Sequence, residues 1–472
     1  MNNALDYLVV GFYFAAMIGA GYWGMARARS AEDYLVAGRR LGPFMYVGTL
    51  SAVVLGGAST IGSVSLGYQY GVSGMWLVFM IGFGIIALGL LLSTRLSRLG
   101  VFTVAEMLEL RYGAASRLIG AIIVSAYALM IAVTSTIAIG TVFDAVLGLR
   151  PTAAILLAGG IVVFYSVVGG MWSITLTDIL QFCVMTVGIF LILLPLALSG
   201  AGGLSAMREE LPSSFFDIIS IGGSTVFTYF LLFFLGLMIG QDIWQRVFTA
   251  RSASVARWGS VAAGVYCLLY GLAGAIIGTA ARIVVPGLAV PDNAFAEIAR
   301  EVLPTGLLGL VLAAALAAVM STSSAGLLAS STLLANDVYA RFVAHREHAR
   351  VGLDRLFTLL VGVVVLVISV LVSDVIGALT VAYDLLVGAI FVPVIGALFW
   401  REATSTGALA SMLAGGLTVI VLLAVQGFLA NSPIYVGLLV SLIVFVVVSL
   451  LTPRTSRQTM SAWERRMSGP GS

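Results

Sequence analysis

Thirteen apolar runs follow one another along this chain with little between them: residues 6–25, 43–71, 73–94, 118–147, 152–169, 171–200, 219–243, 259–287, 306–336, 356–373, 376–400, 405–427 and 433–452. A helix of about 20 apolar residues is long enough to cross the hydrocarbon of a bilayer. The pattern therefore predicts an all-α polytopic membrane protein with about thirteen transmembrane helices. Composition agrees, because only 10% of the residues are charged where a soluble domain carries about 25%. The first run is too long and too lightly flanked for a cleaved signal peptide, and no small-residue cleavage pattern follows it.

Orientation follows from the arginines. All 24 basic residues are Arg. With the amino terminus outside, only Arg150, Arg208, Arg282 and Arg300 fall on the outer side. The rest, Arg246 among them, fall on the cytoplasmic side, and an excess of positive charge marks cytoplasmic loops. The expectation is N-out, C-in.

Several activities are not expected. The hydrophilic segments 201–218, 287–305, 337–355 and 453–472 are too short for a further folded domain. There is no GxxxxGK[ST] or HExxH pattern, and the two histidines, His345 and His348, share one Arg-rich loop. A serine hydrolase would want a buried base, and the runs hold no His or Lys. Neither an enzyme nor an organic cofactor is expected, and the net charge of +3 gives no reason to propose nucleic-acid binding. Cys183 and Cys267 fall inside apolar runs and read as small packed residues.

What remains are polar groups inside the runs. An ionisable residue in a span is expensive and is read as functional by default. Asp178 (in WSITLTDILQ) and Asp384 (in AYDLL) qualify, each as a cation ligand, a proton carrier or a structural acceptor. The stretch AAVMSTSSAGLLASS, 317–331, places four hydroxyls in a row. Ala318, Ser321 and Thr322 stand at i, i+3 and i+4, so one carbonyl and two hydroxyls share a helix face. Small hard cations take such oxygens. One helix cannot complete the shell, and the natural partner is a broken helix with free carbonyls. Gly56-Gly57 interrupts the second run, predicting a first half that ends near Leu55 and a second that begins near Ala58. The carbonyl end suits a cation and the amide end an anion.

At this point the chain resembles the sodium:solute symporters, the group of the proline, pantothenate, monocarboxylate and sodium–galactose carriers. The similarity is carried by GGMWSITLTDILQ (169–181), GQDIWQRVFTARS (240–252) and LAAVMSTSSAGLLASSTLLANDVY (316–339), with weaker agreement at SAEDYLVAGRRLGP (30–43) and GALFW (396–400). The resemblance implies the leucine-transporter fold, a single transporter domain with inverted five-helix repeats. Here these are 43–200 and 219–400, preceded by the helix at 6–25 and followed by two helices in 405–452 and a cytoplasmic tail, 453–472. It also implies a sodium site made by carbonyls of Ala52 and Leu55, the carbonyl of Ala318 and the hydroxyls of Ser321 and Thr322. A second cation site in some members matches Asp178 and Ser324, but its other hydroxyl position is Ala325 here.

The solute is expected at the midplane beside the break. Lining candidates are Gly56, Gly57, Ser59, Thr60 and Ser63 on the second run, then Trp76, Phe233, Tyr383 and Asp384. With no Arg expected near a midplane, a polyanion is disfavoured. Ala58 and Ser59 stand where the galactose carriers have Glu and Gln, which disfavours a sugar. The segment 281–304 looks most like the pantothenate and monocarboxylate members. The expected function is thus sodium-coupled import of a small organic acid by alternating access, with a proline-type amino-acid symporter or a proton-coupled carrier of the same fold as the alternatives. The expected partners are the solute, sodium and the lipid bilayer, with no obligate protein partner. The expected location is a bacterial inner membrane.

Overall fold

The computed structural model describes residues 4–147, 150–346, 350–372, 375–427 and 430–468. Among the described residues ten helices are long and apolar enough to cross a membrane, or eleven if Gly223–Leu237 and Gln241–Val247, bent by 45°, make one span. The apolar runs predict thirteen. Part of the difference lies in two elements, Gly57–Leu99 and Pro151–Gly200, that are longer than a bilayer requires at 43 and 50 residues. Each reverses direction at a glycine with positive φ, Gly71 at +65° and Gly170 at +54°. The packing shows the first reversal. Ser63 and then Tyr68 lie against Gly274 and Gly278, after which Val78 and Gly82 lie against Gly271 and Gly264. The second reads the same way. Tyr165 and Gly169 lie against Gly21 and Met25, and then Ser173 bonds to Gly21 and Gln181 to Tyr13. The segment Pro43–Val54 is too short to count alone.

Gly170 is required at its turn. Its φ is one that side chains rarely adopt, and a Cβ there would lie 2.5 Å from the Tyr34 carbonyl oxygen. Gly170→Ala is expected to cost about 2 kcal/mol or more, since a positive-φ backbone outside the left-handed α region alone accounts for ~1–3 kcal/mol and the clash adds to it. Gly113, at φ +96° with open space around it, is the control. Gly113→Ala meets the backbone term only and should lower the melting temperature less.

The elements that matter for the site are α1 (Ala4–Met25), α2 (Pro43–Val54), α3 (Gly57–Tyr70), α4 (Trp76–Ala87), α5 (Gly160–Met185, spanning the Gly170 reversal), α6 (Gln241–Val247), α7 (Ala253–Val284), α8 (Leu307–Thr332), α9 (Val375–Leu386) and α10 (Arg457–Ser468). Small residues set the distances between them. Gly274 and Gly278 let α3 approach α7, and Gly326 meets the backbone of Ala128 and Ala132. Such small-residue contacts replace the hydrophobic drive that lipid does not supply. Helix α8 is buried along nearly its whole length, which is why it reads as apolar on every side.

Both segments expected to open a five-helix half are broken. In the first, α2 ends at Val54 and α3 begins at Gly57, with Leu55 at φ −99°, ψ 56° and Gly56 extended. In the second, the chain leaves the helix at Gly240 (φ −62°, ψ 131°) and re-enters it as α6. Outside the helices, the described residues hold a single isolated bridge, Leu41 to Ala250.

Three arginines assigned to the cytoplasmic loops are inside the protein. Arg246 is fully buried on α6, and Arg111 and Arg117 are nearly so. Arg117 joins Glu109 and Asp337, both at 2.6 Å. The orientation argument therefore rests on the remaining arginines. Cys267 is buried as expected, whereas Cys183 is exposed on the helix surface.

Candidate functional site

The end of α2 leaves carbonyls short of helical amides; the Ala52 carbonyl has only the long bond from the Leu55 amide, at 3.4 Å, and hydroxyls close in on it and its neighbours. The Ala52 carbonyl accepts the Ser321 hydroxyl at 2.8 Å, and the Val53 carbonyl accepts the Thr322 hydroxyl at 2.8 Å. The next two are closed from α3, where Ser59 donates to Val54 at 3.1 Å and Thr60 to Leu55 at 3.4 Å. Ser321 also reaches the Ala318 carbonyl at 2.8 Å and Thr322 reaches it at 3.4 Å. Ala318, Ser321 and Thr322 thus share a face at the end of α2, where the Ala52 carbonyl that the resemblance implies also lies. The Leu55 carbonyl accepts the Thr60 hydroxyl at 3.4 Å, and the hydroxyl of Thr322 bonds the Val53 carbonyl.

The donor set is two hydroxyl and three carbonyl oxygens, all neutral and hard. Among the described residues no three His, Cys, Asp or Glu side chains gather where they would hold a metal ion. Neutral oxygens of this kind fit a monovalent alkali cation, whose single charge needs no carboxylate cage. Each hydroxyl oxygen lies within hydrogen-bond distance of carbonyls on both helices, so the same oxygens are close enough together to serve one cation.

Close approach is a condition of this geometry. A Cβ on Gly56 would lie 2.6 Å from the Thr322 hydroxyl oxygen and 3.0 Å from its Cβ. Gly56→Ala is expected to push α8 away from the break and to abolish cation-dependent activity while the protein still reaches the membrane. Surface expression together with uptake measures both.

Asp178 does not join Ser324. The Ser324 hydroxyl donates to the Ser321 carbonyl at 2.9 Å. One oxygen of Asp178, Oδ2, accepts the Thr49 hydroxyl and the guanidinium of Arg246, the latter at 3.3 Å. Both ion-pair partners are fully buried. Its other oxygen, Oδ1, has no hydrogen-bond partner among the described residues. Arg246 also donates to the backbone carbonyl of Asp242 at 3.3 Å, and Asp242 accepts the Tyr127 hydroxyl at 3.1 Å. A chain of buried polar groups therefore runs from α2 through α5 to α6. Arg246 and Asp242 were not among the sequence candidates. The signal for them was present in GQDIWQR, where five of seven residues are polar or glycine inside a buried segment.

A cavity of about 40 Å³ lies at the break. Gly56, Gly57, Ser59, Thr322, Phe233 and Tyr383 line it. The rings of Phe233 and Tyr383 meet edge to face at 5.2 Å. Asp242, Thr134 and Ser135 line the same space. A second cavity of about 350 Å³ shares Gly57, Ala58 and Phe233 with the first. It continues toward the end of the bundle that carries Asp292 and Asn431.

Four candidates lie elsewhere. Thr60 bonds the Tyr270 hydroxyl at 2.9 Å and Ser63 packs on Gly274, so both face α7. Trp76 donates its ring N–H to the Ile218 carbonyl at 2.6 Å, outside both cavities. Asp384 on α9 is buried, lines neither cavity, and has no hydrogen-bond partner for either oxygen among the described residues. The face of α3 that does line the cavities is Ala58, Ile61, Gly62 and Ser65, one helical stripe of mostly small residues.

The model of the sodium:solute symporter family matches residues 34–415. The osmoregulated proline transporter of Bacillus subtilis is 24% identical, with 95% of each chain covered. The sodium/proline symporter of Staphylococcus aureus is 26% identical over 96% of this chain and 94% of its own. Among solved structures, a substrate-bound outward-open state of a Na+-coupled sialic acid symporter superposes with TM-score 0.84 at 18% identity, covering 96% of this chain and 99% of the other. Mhp1, a nucleobase-cation-symport-1 family transporter in a closed conformation, gives 0.59 at 16% identity, covering 93% and 98%. These likenesses establish the leucine-transporter fold.

Proposed function

This chain belongs to the sodium:solute symporter family, and from that premise we propose that it carries a small zwitterionic amino acid of the proline type inward together with sodium. The observation that carries the reading is that the cavity at the break is lined both by a helix start and by an acid. The first turn of α3, Gly57 to Ser59, presents free backbone amides and suits a carboxylate. Asp242, with Arg246 beside it, brings an acidic side chain to the same lining, which attracts an ammonium and repels a plain organic anion. Phe233 and Tyr383 supply apolar surface on that lining. The curated relatives that are proline carriers support the same choice. The pantothenate- and monocarboxylate-like segment, 281–304, lies mostly at the far end of α7 and on the short helix Ala294–Val302. It touches the cavities only through Asp292, so its resemblance says little about the solute.

Sodium is proposed to bind the oxygens of Ala52, Val53, Ala318, Ser321 and Thr322, holding α2 to α8 and steadying the break beside which the solute docks. The bundle then rocks to expose the site on the other side. Low sodium inside favours release, and each charge carried inward gains about 2.3 kcal/mol per 100 mV of membrane potential. Asp178 keeps Arg246 as its counter-ion, so one sodium per cycle is the proposed stoichiometry.

The test is sodium-dependent thermal stabilisation of the purified protein by proline, pantothenate, lactate and galactose. Proline should raise the melting temperature in sodium and not in potassium. A rise with pantothenate or lactate and none with proline would reject the amino-acid reading. Asp242→Asn should weaken the proline effect about tenfold or more, since a charged hydrogen bond contributes ~1.5–3 kcal/mol.

A further inference from the structure

We propose that the cavity at the arginine-rich end of the bundle holds the phosphate headgroup of an anionic phospholipid. It lies between Ser93–Leu99, the end of Val392–Phe399, and the tail helix α10, with a volume of about 700 Å³. Its wall carries five arginines, Arg95, Arg98, Arg111, Arg401 and Arg465, against one carboxylate, Glu464. Glu464 meets Arg401 at 2.9 Å, in a pair whose side chains are 83% and 48% exposed. A single screened carboxylate leaves the wall strongly positive.

Two of the arginines hold N–H groups in reserve. Arg111 is buried and donates to the carbonyls of Arg401 at 3.1 Å and Ala403 at 2.9 Å, yet its Nε has no hydrogen-bond partner among the described residues. Arg95 lies over the Phe399 ring at 4.3 Å, and its Nη1 is buried without a partner. A buried donor left unpaired is costly, and a phosphate oxygen in this cavity would satisfy such groups. Guanidinium and phosphate match in geometry as well as charge.

The surroundings favour a lipid over a soluble anion. Both flanking helices are ends of apolar spans, Gly57–Leu99 and Leu379–Phe399, so the cavity sits where headgroups begin. Apolar side chains stand among the arginines, Phe399 at 50% exposure and Leu398 beside it. Trp463 of α10 is buried, and Met460 and Met467 line the same wall, so the tail helix closes over the headgroup while acyl chains run along the spans. Basic pockets between membrane helices at this level select anionic headgroups.

The full chain, purified in detergent, is titrated with phosphatidylglycerol, phosphatidylcholine or inorganic phosphate, and retained lipid is counted by native mass spectrometry. Phosphatidylglycerol should be retained at least about tenfold more tightly than phosphatidylcholine. Arg98→Gln and Arg465→Gln should each weaken it about fivefold, the factor that corresponds to about 1 kcal/mol per basic residue at an anionic surface. Glu464→Gln should strengthen it by a similar factor, a gain that misfolding does not produce. Equal retention of the two lipids, or retention unchanged in all three variants, would overturn the proposal. Full displacement of the lipid by millimolar phosphate would overturn it too, and would assign the cavity to a soluble anion.

Discussion

Arg246→Gln is expected to be the most damaging single substitution in this protein, lowering stability by about 3–5 kcal/mol because it strands a carboxylate in a site that excludes water. Asp178 and Arg246 are both fully buried and 3.3 Å apart. The hydroxyl of Thr49 is the remaining partner of Asp178 Oδ2, and one hydroxyl does not offset a buried charge. Asp178→Asn should be damaging too, but less so, because the guanidinium it leaves without an ion-pair partner keeps its bond to the Asp242 carbonyl. The double variant Asp178→Asn/Arg246→Gln removes both charges and should recover part of the loss. Melting curves of the four proteins in detergent close the cycle. Single variants within about 0.5 kcal/mol of the parent, the range of ordinary surface substitutions, would mean that the pair is not formed.

Thr322→Ala is expected to raise the sodium concentration for half-maximal uptake by about tenfold or more, given ~1.5–3 kcal/mol for a hydroxyl facing a charge. Ser321→Ala should act in the same direction. At saturating sodium the solute concentration for half-maximal uptake should change little, because Thr322 contributes only one edge of the cavity at the break. Ser324→Ala makes the contrast. Its hydroxyl bonds the Ser321 carbonyl, not the α2 end, and its effect on sodium dependence should be small. If Ser324→Ala weakens sodium activation as strongly as Thr322→Ala, a second cation lies near Asp178 after all.

Much of this site is legible in the residues, and the parts that are not have physical reasons. Gly56-Gly57 marks the break because few residue pairs release a helix so readily, and the hydroxyls of Ser321 and Thr322 mark its partner by spacing alone. Which carbonyls face them is not readable. The register of the last turn of α2 decides it, and the turn brings Val53 to Thr322 while Thr60 takes Leu55. Thr60 and Ser63 attract notice as polar residues beside a solute site, yet they serve helix packing against Tyr270 and Gly274. The cavity is lined by the quieter stripe of Ala58, Ile61 and Gly62. Arg246 misleads for another reason. A charge next to the end of an apolar run is ordinarily a loop residue, and only the second break, at Gly240, turns that stretch back into the protein. The hairpins at Gly71 and Gly170 explain how two continuous helical elements conceal four apolar runs.

On the proposed reading a sodium gradient, acting through the oxygens between α2 and α8, drives accumulation of a small amino acid. Uptake of labelled proline into proteoliposomes tests it most directly, with an inward sodium gradient in one arm and an inward proton gradient without sodium in the other. Accumulation above equilibrium is expected in the sodium arm alone and is lost in Gly56→Ala. Accumulation that follows the proton gradient and ignores sodium would contradict it, and would move the coupling to a buried carboxylate such as Asp384.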